Sequence, residues 1–417
     1  MKPICKRAEL ENAVRKCVER QPVYDIHTHL YTPAFGSLLL WGIDELLTYH
    51  YLIAEVTRYN SIPYDQLLRL PKKAQAELIW DELFVRHSPI SEATRGVLTC
   101  LDRLGISTRR RDLEAVRAAF RGRKAAEYID TVFETANVEA VVMTNNPFDA
   151  EERPAWDKNL RLDSRFKTAL RIDELLVKWP QAAAALKPMG YAVEPKLSAR
   201  TLGEVRRFLH DWIDRMKPAY FAASLPPSFD FPEQSACARL IEEALLPVGR
   251  ERALPFAMMI GVKKLINPAL ALAGDGVGRS KIEAVEHLCA AFPDNKFLVT
   301  MLARENQHEL CVAARKFRNL MPFGCWWFLN NPSLIEEMTR MRLELLGTSF
   351  IPQHSDARVL DQLIYKWAHS REILARTLAD KYWMSVQSGW PVTKADIRRD
   401  VANLLGGNFK RFVGAAE

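Results

Sequence analysis

Short apolar runs recur along this sequence and alternate with longer segments of helical periodicity. Each run spans six to eight residues and is apolar on both faces, which is typical of strands buried in a parallel sheet. Eight such strands alternating with helices predict an α/β protein with a (β/α)8 barrel of the TIM type. The runs are VYDIHTHL (23–30), VEAVVMT (138–144), FKTALRI (166–172), AYFAAS (219–224), PFAMMIGV (255–262), KFLVTML (296–302), MPFGCWWF (321–328) and GTSFIPQ (347–353).

One connection between predicted strands is far longer than a barrel crossover. Residues 31–137 separate the first two strands, and their apolar residues recur at helical spacing. We therefore expect the barrel to be built from residues 1–30 and 138–417, with the long segment as a helical insertion after the first strand. The C-terminal tail is also predicted to be helical, with Thr393 as its N-cap and an end before the glycine pair at 406–407.

Composition argues against several classes of partner. The 417 residues carry 58 basic and 51 acidic side chains, a formal charge of +7. The basic clusters at 109–111 and 121–124 are short, as is typical of solvated helix faces, so no nucleic-acid partner is expected. The net positive charge favours small anionic substrates. Seven cysteines without a CxxC pair, and no apolar run near the roughly 18 residues of a membrane span, predict a reduced cytoplasmic protein with no membrane partner.

Two histidines end the first predicted strand. Residues i and i+2 of a strand point to the same side, so His27 and His29 are expected to project together, about 6–7 Å apart along the strand. Neutral imidazoles at this spacing can share one divalent metal, although two strand histidines without a metal are an alternative. The carboxyl ends of TIM-barrel strands carry the active site, which favours the metal. For Asp25 a structural role inside the barrel is favoured.

A carboxylate follows the last predicted strand, in the segment HSDAR (354–358). In a closed barrel the eighth strand pairs with the first, so Asp356 is expected to meet the two histidines. One Zn²⁺ is suited to such a site, in which two imidazoles and a carboxylate are ligands and the remaining coordination positions are open; Mn²⁺ and Fe²⁺ are alternatives. Asp356 could instead be the N-cap of the following helix. His354 is a further possible ligand, for which we favour a structural role.

Six short segments, in order along the chain, resemble motifs of the uronate (glucuronate) isomerase family in the amidohydrolase superfamily. They extend from the first predicted strand to the last, so the resemblance covers most of the sequence. The segments GCWWF and SDAR are the most specific of the six. The segments are HTHL (27–30), YHY (49–51), TNNP (144–147), RID (171–173), GCWWF (324–328) and SDAR (355–358).

The resemblance implies a metal-dependent isomerase that interconverts aldose and ketose forms of hexuronates, glucuronate with fructuronate or galacturonate with tagaturonate, by moving a proton between C2 and C1. It implies that Asp356 is both the base at C2 and a ligand of the metal. His50 and Tyr51 are expected to be catalytic groups that the helical insertion contributes, although aromatic packing would also explain them. A homo-oligomer acting on a small anionic sugar is expected.

The same resemblance implies three substrate-binding residues. Arg171 and Arg358 are expected to hold the sugar carboxylate or hydroxyls, because a guanidinium can bind a carboxylate through two parallel hydrogen bonds. A salt bridge within the protein is the alternative for each arginine. Trp326 is expected to contact the substrate, with barrel packing as its alternative.

Several positions depart from the family pattern. The segment MMIG (258–261) stands where the family usually carries a histidine, SLPPSFD (224–230) stands where it often has an Asp-His pair, and TNNP replaces an acidic TTDDP. These departures leave open a divergent metal-dependent hydrolase that acts on a lactone, an amide or another acid-sugar derivative. The end of the fourth strand offers no Lys or His ligand, which counts against that alternative.

Overall fold

The computed structural model describes residues 3–158, 160 and 162–414. Within them, a seven-stranded parallel sheet runs in the order β1-β2-β3-β4-β5-β8-β9, and β6 and β7 form a separate antiparallel pair. The predicted α/β fold of TIM type is confirmed. The strands are β1 (Val23–Thr28), β2 (Val138–Asn145), β3 (Phe166–Arg171), β4 (Phe221–Leu225), β5 (Phe256–Ile260), β6 (Val262–Lys263), β7 (Gly276–Val277), β8 (Phe297–Met301) and β9 (Leu320–Pro322).

Helices connect these strands and form the tail. The first helix precedes β1, the next seven lie between β1 and β2, and the last three follow the barrel. The α-helices are α1 (Arg7–Arg20), α2 (Ile43–Leu47), α3 (His50–Val56), α4 (Tyr64–Arg69), α5 (Lys72–Trp80), α6 (Glu92–Arg103), α7 (Leu113–Ala118), α8 (Ala125–Ala136), α9 (Arg153–Trp156), α10 (Asp173–Val177), α11 (Trp179–Leu186), α12 (Ala199–Met216), α13 (Ala236–Leu240), α14 (Leu246–Glu251), α15 (Glu283–Ala291), α16 (Gln307–Ala314), α17 (Pro332–Leu346), α18 (Gln362–Gln387), α19 (Lys394–Ala402) and α20 (Asn408–Val413).

Helix α12 illustrates how local sequence sets these elements. The Ser198 side chain accepts a hydrogen bond from the Thr201 N–H, which satisfies one of the free donors at the start of the helix. Apolar residues then recur at helical spacing, and Leu202, Val205 and Leu209 are all buried against the sheet side of the core. The cap and this periodicity together account for a helix that runs from Ala199 to Met216.

The eighth predicted strand, over residues 347–353, is not a strand of the sheet. It makes a single bridge, between Phe323 and Ile351, with the Gly324 N–H donating to the Ile351 carbonyl at 2.9 Å. The next residue, Pro352, has no N–H to continue a ladder. The expectation of eight regular strands is therefore wrong at this position, where an irregular extended segment follows β9.

The same segment is hydrogen-bonded to β1 on its other side. The Asp356 N–H donates to the His27 carbonyl at 3.1 Å, and the His29 N–H donates to the Ala357 carbonyl at 2.7 Å. Asp356 has a φ of 52°, a left-handed conformation that Asp tolerates better than most residues. Residues 351–357 thus contact β9 on one side and β1 on the other, so they close the barrel and are called the closing segment.

Apolar side chains from every strand of the barrel meet in its interior. Three of them are alanines, which leave room for the larger Met259 and Phe323. Met259 stands where the resembled family carries a histidine, and here it is 2 % exposed and part of this packing. The opposite faces of the strands are buried under the helices, so the strands are apolar throughout. The interior residues are Ile26, Val142, Ala169, Ala222, Ala257, Met259, Leu298, Phe323 and Ile351.

The helical insertion packs against the barrel's outer layer and its mouth. Helices α6 and α8 contact α18, and α3 contacts the 3-10 segment Pro268–Gly274 between β6 and β7. Further turns of the insertion are the 3-10 helix Pro33–Leu38 and the π-helix Asp81–Arg86. As a result, α3 lies beside loops that follow the carboxyl ends of the strands.

The C-terminal tail packs beneath the barrel. Thr393 caps α19 in a capping box with Asp396, as expected for an N-cap. The regular α-helix ends at Ala402, before the glycine pair, but the chain continues through the π-helical turn Asn403–Gly407 into α20. Phe409 of α20 packs on the ring of Tyr24 with their centroids 5.5 Å apart.

Two observations bear on the expectations from composition. No helix within the described ranges is long and apolar enough to cross a bilayer. The seven cysteines are free thiols, as the absence of paired spacing predicts.

Asp25 connects the closing segment to the strand beside it. One carboxylate oxygen accepts a hydrogen bond from the Ser355 N–H at 3.1 Å, and the other accepts one from Trp367 Nε1 of α18 at 2.8 Å. Burial raises the pKa of Asp25 to about 6, and these donors act in the opposite direction. The structural role expected for Asp25 is therefore the role that its contacts support.

Replacing Trp367 with Phe tests this connection. The variant leaves a buried carboxylate oxygen without its donor, so we expect the free energy of unfolding to fall by about 1–3 kcal/mol. Denaturant titration measures the change. Trp390→Phe, at a side chain 67 % exposed, is the matched control and should be neutral. A Trp367→Phe protein as stable as the control would contradict the role given to Asp25.

Candidate active site

Three potential ligand atoms converge where the barrel closes. Asp356 Oδ1 lies 3.7 Å from His27 Nε2 and 3.3 Å from His29 Nε2, and the ligand atoms of the three residues all lie within 4.8 Å of one another. The histidines come from the end of β1, and the carboxylate comes from the segment hydrogen-bonded to it. The three side chains predicted as ligands are therefore brought together. The alternative of Asp356 as a helix N-cap is wrong, because α18 begins at Gln362.

The other ring nitrogen of His27 is engaged by a tyrosine. His27 Nδ1 lies 3.3 Å from the hydroxyl of Tyr220, and that hydroxyl donates its proton to the Ile26 carbonyl at 2.6 Å. The hydroxyl is thus an acceptor for His27, and we assign the imidazole proton to Nδ1 from this network. Nε2 then carries a lone pair that faces Asp356.

His29 is oriented in the same way by a threonine. His29 Nδ1 lies 2.9 Å from Thr144 Oγ1, whose hydroxyl donates to the Thr28 carbonyl at 3.0 Å. The proton of His29 is again assigned to Nδ1, and its Nε2 lone pair faces the carboxylate. Thr144 belongs to the TNNP segment, so this segment orients the proposed metal ligand His29 although it lacks the family's acidic residues.

The charges in the site favour a bound cation. Burial lowers the pKa of His29 and lowers that of His27 well below its ordinary value, so both rings are neutral. Burial acts to raise the pKa of Asp356, but a proton at this site is held by an imidazole in preference to the carboxylate, and together with the Lys366 ammonium this keeps the pKa of Asp356 well below its usual range. His27 Nε2 and Asp356 Oδ1 are buried without a hydrogen-bond partner. Three lone pairs directed at one another fit a divalent metal ion.

His354, the further possible ligand, lies behind the site. Its ring is fully buried, with its centroid 5.3 Å from that of His27, and burial lowers its pKa to about 4. Gly324 fits directly against this ring: a Cβ added there would fall 1.7 Å from His354 Nδ1, and its φ of 66° also favours glycine. These contacts support the structural role.

His50 and Tyr51 begin helix α3 and are half-buried at the barrel mouth. Among the described residues, His50 Nε2 and the Tyr51 hydroxyl have no hydrogen-bond partner. The His50 ring packs on Trp327, with centroids 5.5 Å apart. Burial lowers the pKa of His50 to about 4 and raises that of Tyr51 well above its ordinary value, so both groups are neutral. The nearby Asp356 carboxylate opposes the first shift and reinforces the second, which is consistent with a shared site.

Arg171 ends β3 at the same edge of the sheet as His29. Its Nε and Nη2 donate to the two oxygens of Asp173 at 2.8 and 3.0 Å, and Asp173 also accepts the Ser224 N–H at 3.1 Å. The salt bridge is therefore present, and the Arg171 side chain remains 32 % exposed. This ion pair fixes the position of Arg171 at the barrel rim and leaves part of its side chain accessible to a substrate.

Arg358 follows the carboxylate by two residues and is exposed. Its N–H donates to Gln362 Oε1 at 2.9 Å, which fixes the backbone at the start of α18. Its charge contributes to the lowered pKa of both His29 and His50. The two arginines are thus both within electrostatic reach of the site.

The two adjacent tryptophans differ in environment. Trp326 is 3 % exposed and packs with the barrel interior, which is the alternative given above for it. Trp327 is partly exposed and has the contact with His50, and its buried Nε1 has no partner among the described residues. Substrate binding by Trp326 stays a prediction, and Trp327 is the indole that contacts a predicted catalytic side chain.

Three side chains around the ligands were not predicted to have a role there: Thr144, Tyr220 and Lys366. Thr144 was detectable in principle, because β2 pairs with β1 and its end must face the end of that strand. Tyr220 and Lys366 lie in apolar runs with no spacing that points to a site, and their contacts depend on the tertiary structure.

Comparison with known proteins was made by sequence and by structure. No protein-family model matches the chain, and no curated protein matches it. The solved structure of a uronate isomerase from Bacillus halodurans is 56 % identical, with a TM-score of 0.98, over 99 % of this chain and 98 % of that one. This chain belongs to the uronate isomerase family.

Two more distant structures share the fold of this uronate isomerase family member. A uronate isomerase from Thermotoga maritima is 16 % identical with a TM-score of 0.76, over 98 % of this chain and 99 % of that one. A glucuronate isomerase from Caulobacter crescentus is 14 % identical with a TM-score of 0.77, over 99 % and 95 %. The resemblance stated from the six segments is thereby confirmed at the level of the family.

Removal of either histidine should empty the proposed metal site. We expect His27→Ala and His29→Ala to reduce bound metal from about one ion per chain to a small fraction of one, because a Zn²⁺ site with three protein ligands loses one of them. Elemental analysis of the purified proteins measures this. His308→Ala, at an exposed histidine, is the control. Unchanged stoichiometry in both variants, with the fold retained by circular dichroism, would contradict the ligand assignment.

Proposed function

We propose that this protein is a metal-dependent isomerase that interconverts the aldose and ketose forms of hexuronates by moving a proton between C2 and C1. One observation carries the proposal: two neutral imidazoles and an ionised carboxylate converge at the barrel mouth, within electrostatic reach of Arg171 and Arg358, in a member of the uronate isomerase family. A site that binds cations and has a cationic rim suits a sugar acid, whose hydroxyls and carboxylate need both.

We propose that His27, His29 and Asp356 hold one Zn²⁺, with Mn²⁺ and Fe²⁺ as alternatives. Such an ion acts as a Lewis acid that polarises the sugar oxygens when it is bound. The donor set supports this choice, since two imidazole nitrogens and one carboxylate oxygen leave positions open for substrate.

Asp356 is the proposed base. In the direction from aldose to ketose, the C2–H bond breaks, the proton passes to the carboxylate, and an enediol forms across C1 and C2. The same carboxyl group then returns the proton to C1, which becomes CH2 as C2 becomes the carbonyl. A carboxylate whose pKa is held low is a weak base, so the reaction depends on stabilisation of the negative charge that develops on the sugar oxygens.

His50 and Tyr51 are proposed to manage the hydroxyl protons. The isomerisation also requires that O2 lose its proton and that O1 gain one. A neutral imidazole can accept a proton from one oxygen, and a neutral phenol can donate to the other. Both side chains are half-buried, and His50 Nε2 and the Tyr51 hydroxyl are buried atoms with no hydrogen-bond partner among the described residues.

Arg171 and Arg358 are proposed to bind the substrate carboxylate. Arg171 ends β3 and Arg358 lies two residues after Asp356, so both arginines belong to the edge of the barrel that carries the proposed ligands. Charge-assisted hydrogen bonds to a carboxylate would fix the sugar chain with its C1–C2 end toward Asp356.

Three expectations about the whole molecule stay proposals. Residues 31–137 are proposed to act as an insertion that contributes His50 and Tyr51 to a barrel made from 1–30 and 138–417. We also propose a cytoplasmic location, which the free cysteines support, and a homo-oligomeric assembly.

The direct test is turnover by the purified, metal-loaded protein. We expect it to isomerise glucuronate, galacturonate or both after loading with Zn²⁺, Mn²⁺ or Fe²⁺, with activity lost on chelation and regained on reloading. A panel of sugar-acid lactones and amides is assayed in parallel. No isomerisation with metal fully loaded would contradict the proposal, and hydrolysis of a panel member would favour the alternative hydrolase.

Asp356→Asn separates the base from the rest of the site. We expect kcat to fall by roughly 10²–10⁴-fold, the usual contribution of a general base. The assay is run at saturating metal, and bound metal is measured alongside, so loss of the ion and loss of the base are distinguished. Asp65→Asn, on the exposed surface of α4, is the control. Full activity in Asp356→Asn would show that the base is a different group.

Arg171→Met tests the carboxylate contact. We expect KM for a hexuronate to rise by roughly 10–100-fold, because a hydrogen bond to a charged group contributes about 1.5–3 kcal/mol. Arg165→Met is a matched control at the other end of β3: Arg165 pairs with Asp163, and its side chain is 31 % exposed, close to the 32 % of Arg171. Equal kinetic effects of the two variants would argue against substrate binding by Arg171.

A further inference from the structure

The ammonium group of Lys366 is buried beside the site without a hydrogen-bond acceptor. Lys366 lies in the second turn of α18 and is 2 % exposed. Among the described residues its Nζ has no hydrogen-bond partner and takes part in no salt bridge shorter than 4.0 Å. Buried lysines are normally paired, so this arrangement calls for an explanation.

Among the described residues, this ammonium has one specific contact, which is with an aromatic ring. Nζ of Lys366 lies over the face of Tyr51, 5.5 Å from the ring centroid, within the range of a cation–π interaction. The contact joins α18, which follows the carboxylate segment, to α3 of the insertion. Tyr51 is also held at its sides, by His50 at 4.5 Å and Tyr49 at 4.9 Å between centroids.

The charge of Lys366 is supported only at longer range. Burial lowers the pKa of this lysine, while the carboxylates of Asp356, Asp25 and Glu92 favour the ammonium form. An apolar side chain of similar length would fill the same space without the cost of burying a charge. Packing therefore explains the stem of Lys366 but not its charged end.

We propose that Lys366 is a positioning residue for the reaction, acting through Tyr51. Its ammonium holds the ring in one orientation, so that the hydroxyl stays directed into the site. A cation at the face of a phenol also withdraws electron density from the O–H bond, which makes the hydroxyl a stronger donor toward a sugar oxygen that gains negative charge. This inference rests on the proposed function.

The first test is kinetic and uses the metal-loaded protein. We expect Lys366→Met to lower kcat on the preferred hexuronate by roughly 10–100-fold with KM nearly unchanged, since the contact acts on a proton-donating group rather than on substrate binding. Its thermal midpoint should equal or exceed that of the wild type, because an unpaired buried charge is removed. A midpoint that falls in proportion to the activity would indicate a merely structural lysine and overturn the proposal.

A double-mutant cycle tests whether the effect passes through Tyr51. If it does, adding Lys366→Met to Tyr51→Phe should cost little further activity, because the hydroxyl that the lysine positions is already absent. Equal factors in the two backgrounds would contradict the proposal. Lys381→Met is the matched control: it lies on the same helix, where Lys381 pairs with Glu344, and should leave kcat unchanged.

A spectroscopic test does not depend on turnover. In protein labelled with 13C at tyrosine Cζ, the Tyr51 resonance is assigned by its loss in Tyr51→Phe. We expect it to move in Lys366→Met and to stay in place in Lys381→Met. An unmoved resonance would rule out the contact whatever the kinetics. Should the wild type turn over no hexuronate, the proposed function fails and the catalytic role of Lys366 with it, while the resonance still decides the contact.

Discussion

The closing segment of the barrel is hydrogen-bonded to β1, and the position of every proposed ligand depends on those bonds. The amide of Asp356 donates to the carbonyl of His27, and the amide of His29 donates to the carbonyl of Ala357, so the backbones that carry all three ligands are adjacent. Asp25 adds a buried carboxylate that accepts from the same segment and from α18. The site therefore lies where β1 and the closing segment meet, and it forms only when the barrel closes.

The polar groups around the three proposed ligands determine what the site can bind. Tyr220 and Thr144 each occupy one nitrogen of a histidine, so the other nitrogen of each ring faces Asp356 with a lone pair. Burial keeps both rings neutral, and the carboxylate stays ionised. Without a cation these atoms would repel one another in a region of low dielectric constant.

The sequence predicted the parts of the molecule that depend on local pattern. Apolar runs alternating with helical segments predicted the sheet, and the i, i+2 spacing predicted that His27 and His29 project together. Barrel closure was enough to bring Asp356 to them. The eighth strand was predicted as regular, and this failed because Pro352 lacks an N–H; Asp356, just beyond the predicted strand, has a left-handed backbone. Such features follow from the needs of the site rather than from strand propensity.

Contacts that depend on three-dimensional packing were beyond the sequence. Residue spacing could not predict three such contacts, because each joins segments that are far apart in the chain. They are the burial of Trp326 in the barrel interior, the packing of Trp327 on His50, and the contact of Lys366 with Tyr51. The family resemblance supplied roles for the arginines that composition alone would have assigned to salt bridges, and Arg171 does form such a bridge.

The central claim is that one divalent ion sits between the imidazoles of β1 and the carboxylate of the closing segment. Anomalous diffraction from crystals of the metal-loaded protein, collected at the absorption edge of the bound metal, tests it most directly. The account predicts a single strong peak about 2.0–2.2 Å from His27 Nε2, His29 Nε2 and an Asp356 oxygen. A peak coordinated by other residues, or no peak at this position in protein that elemental analysis shows to be loaded, would contradict it.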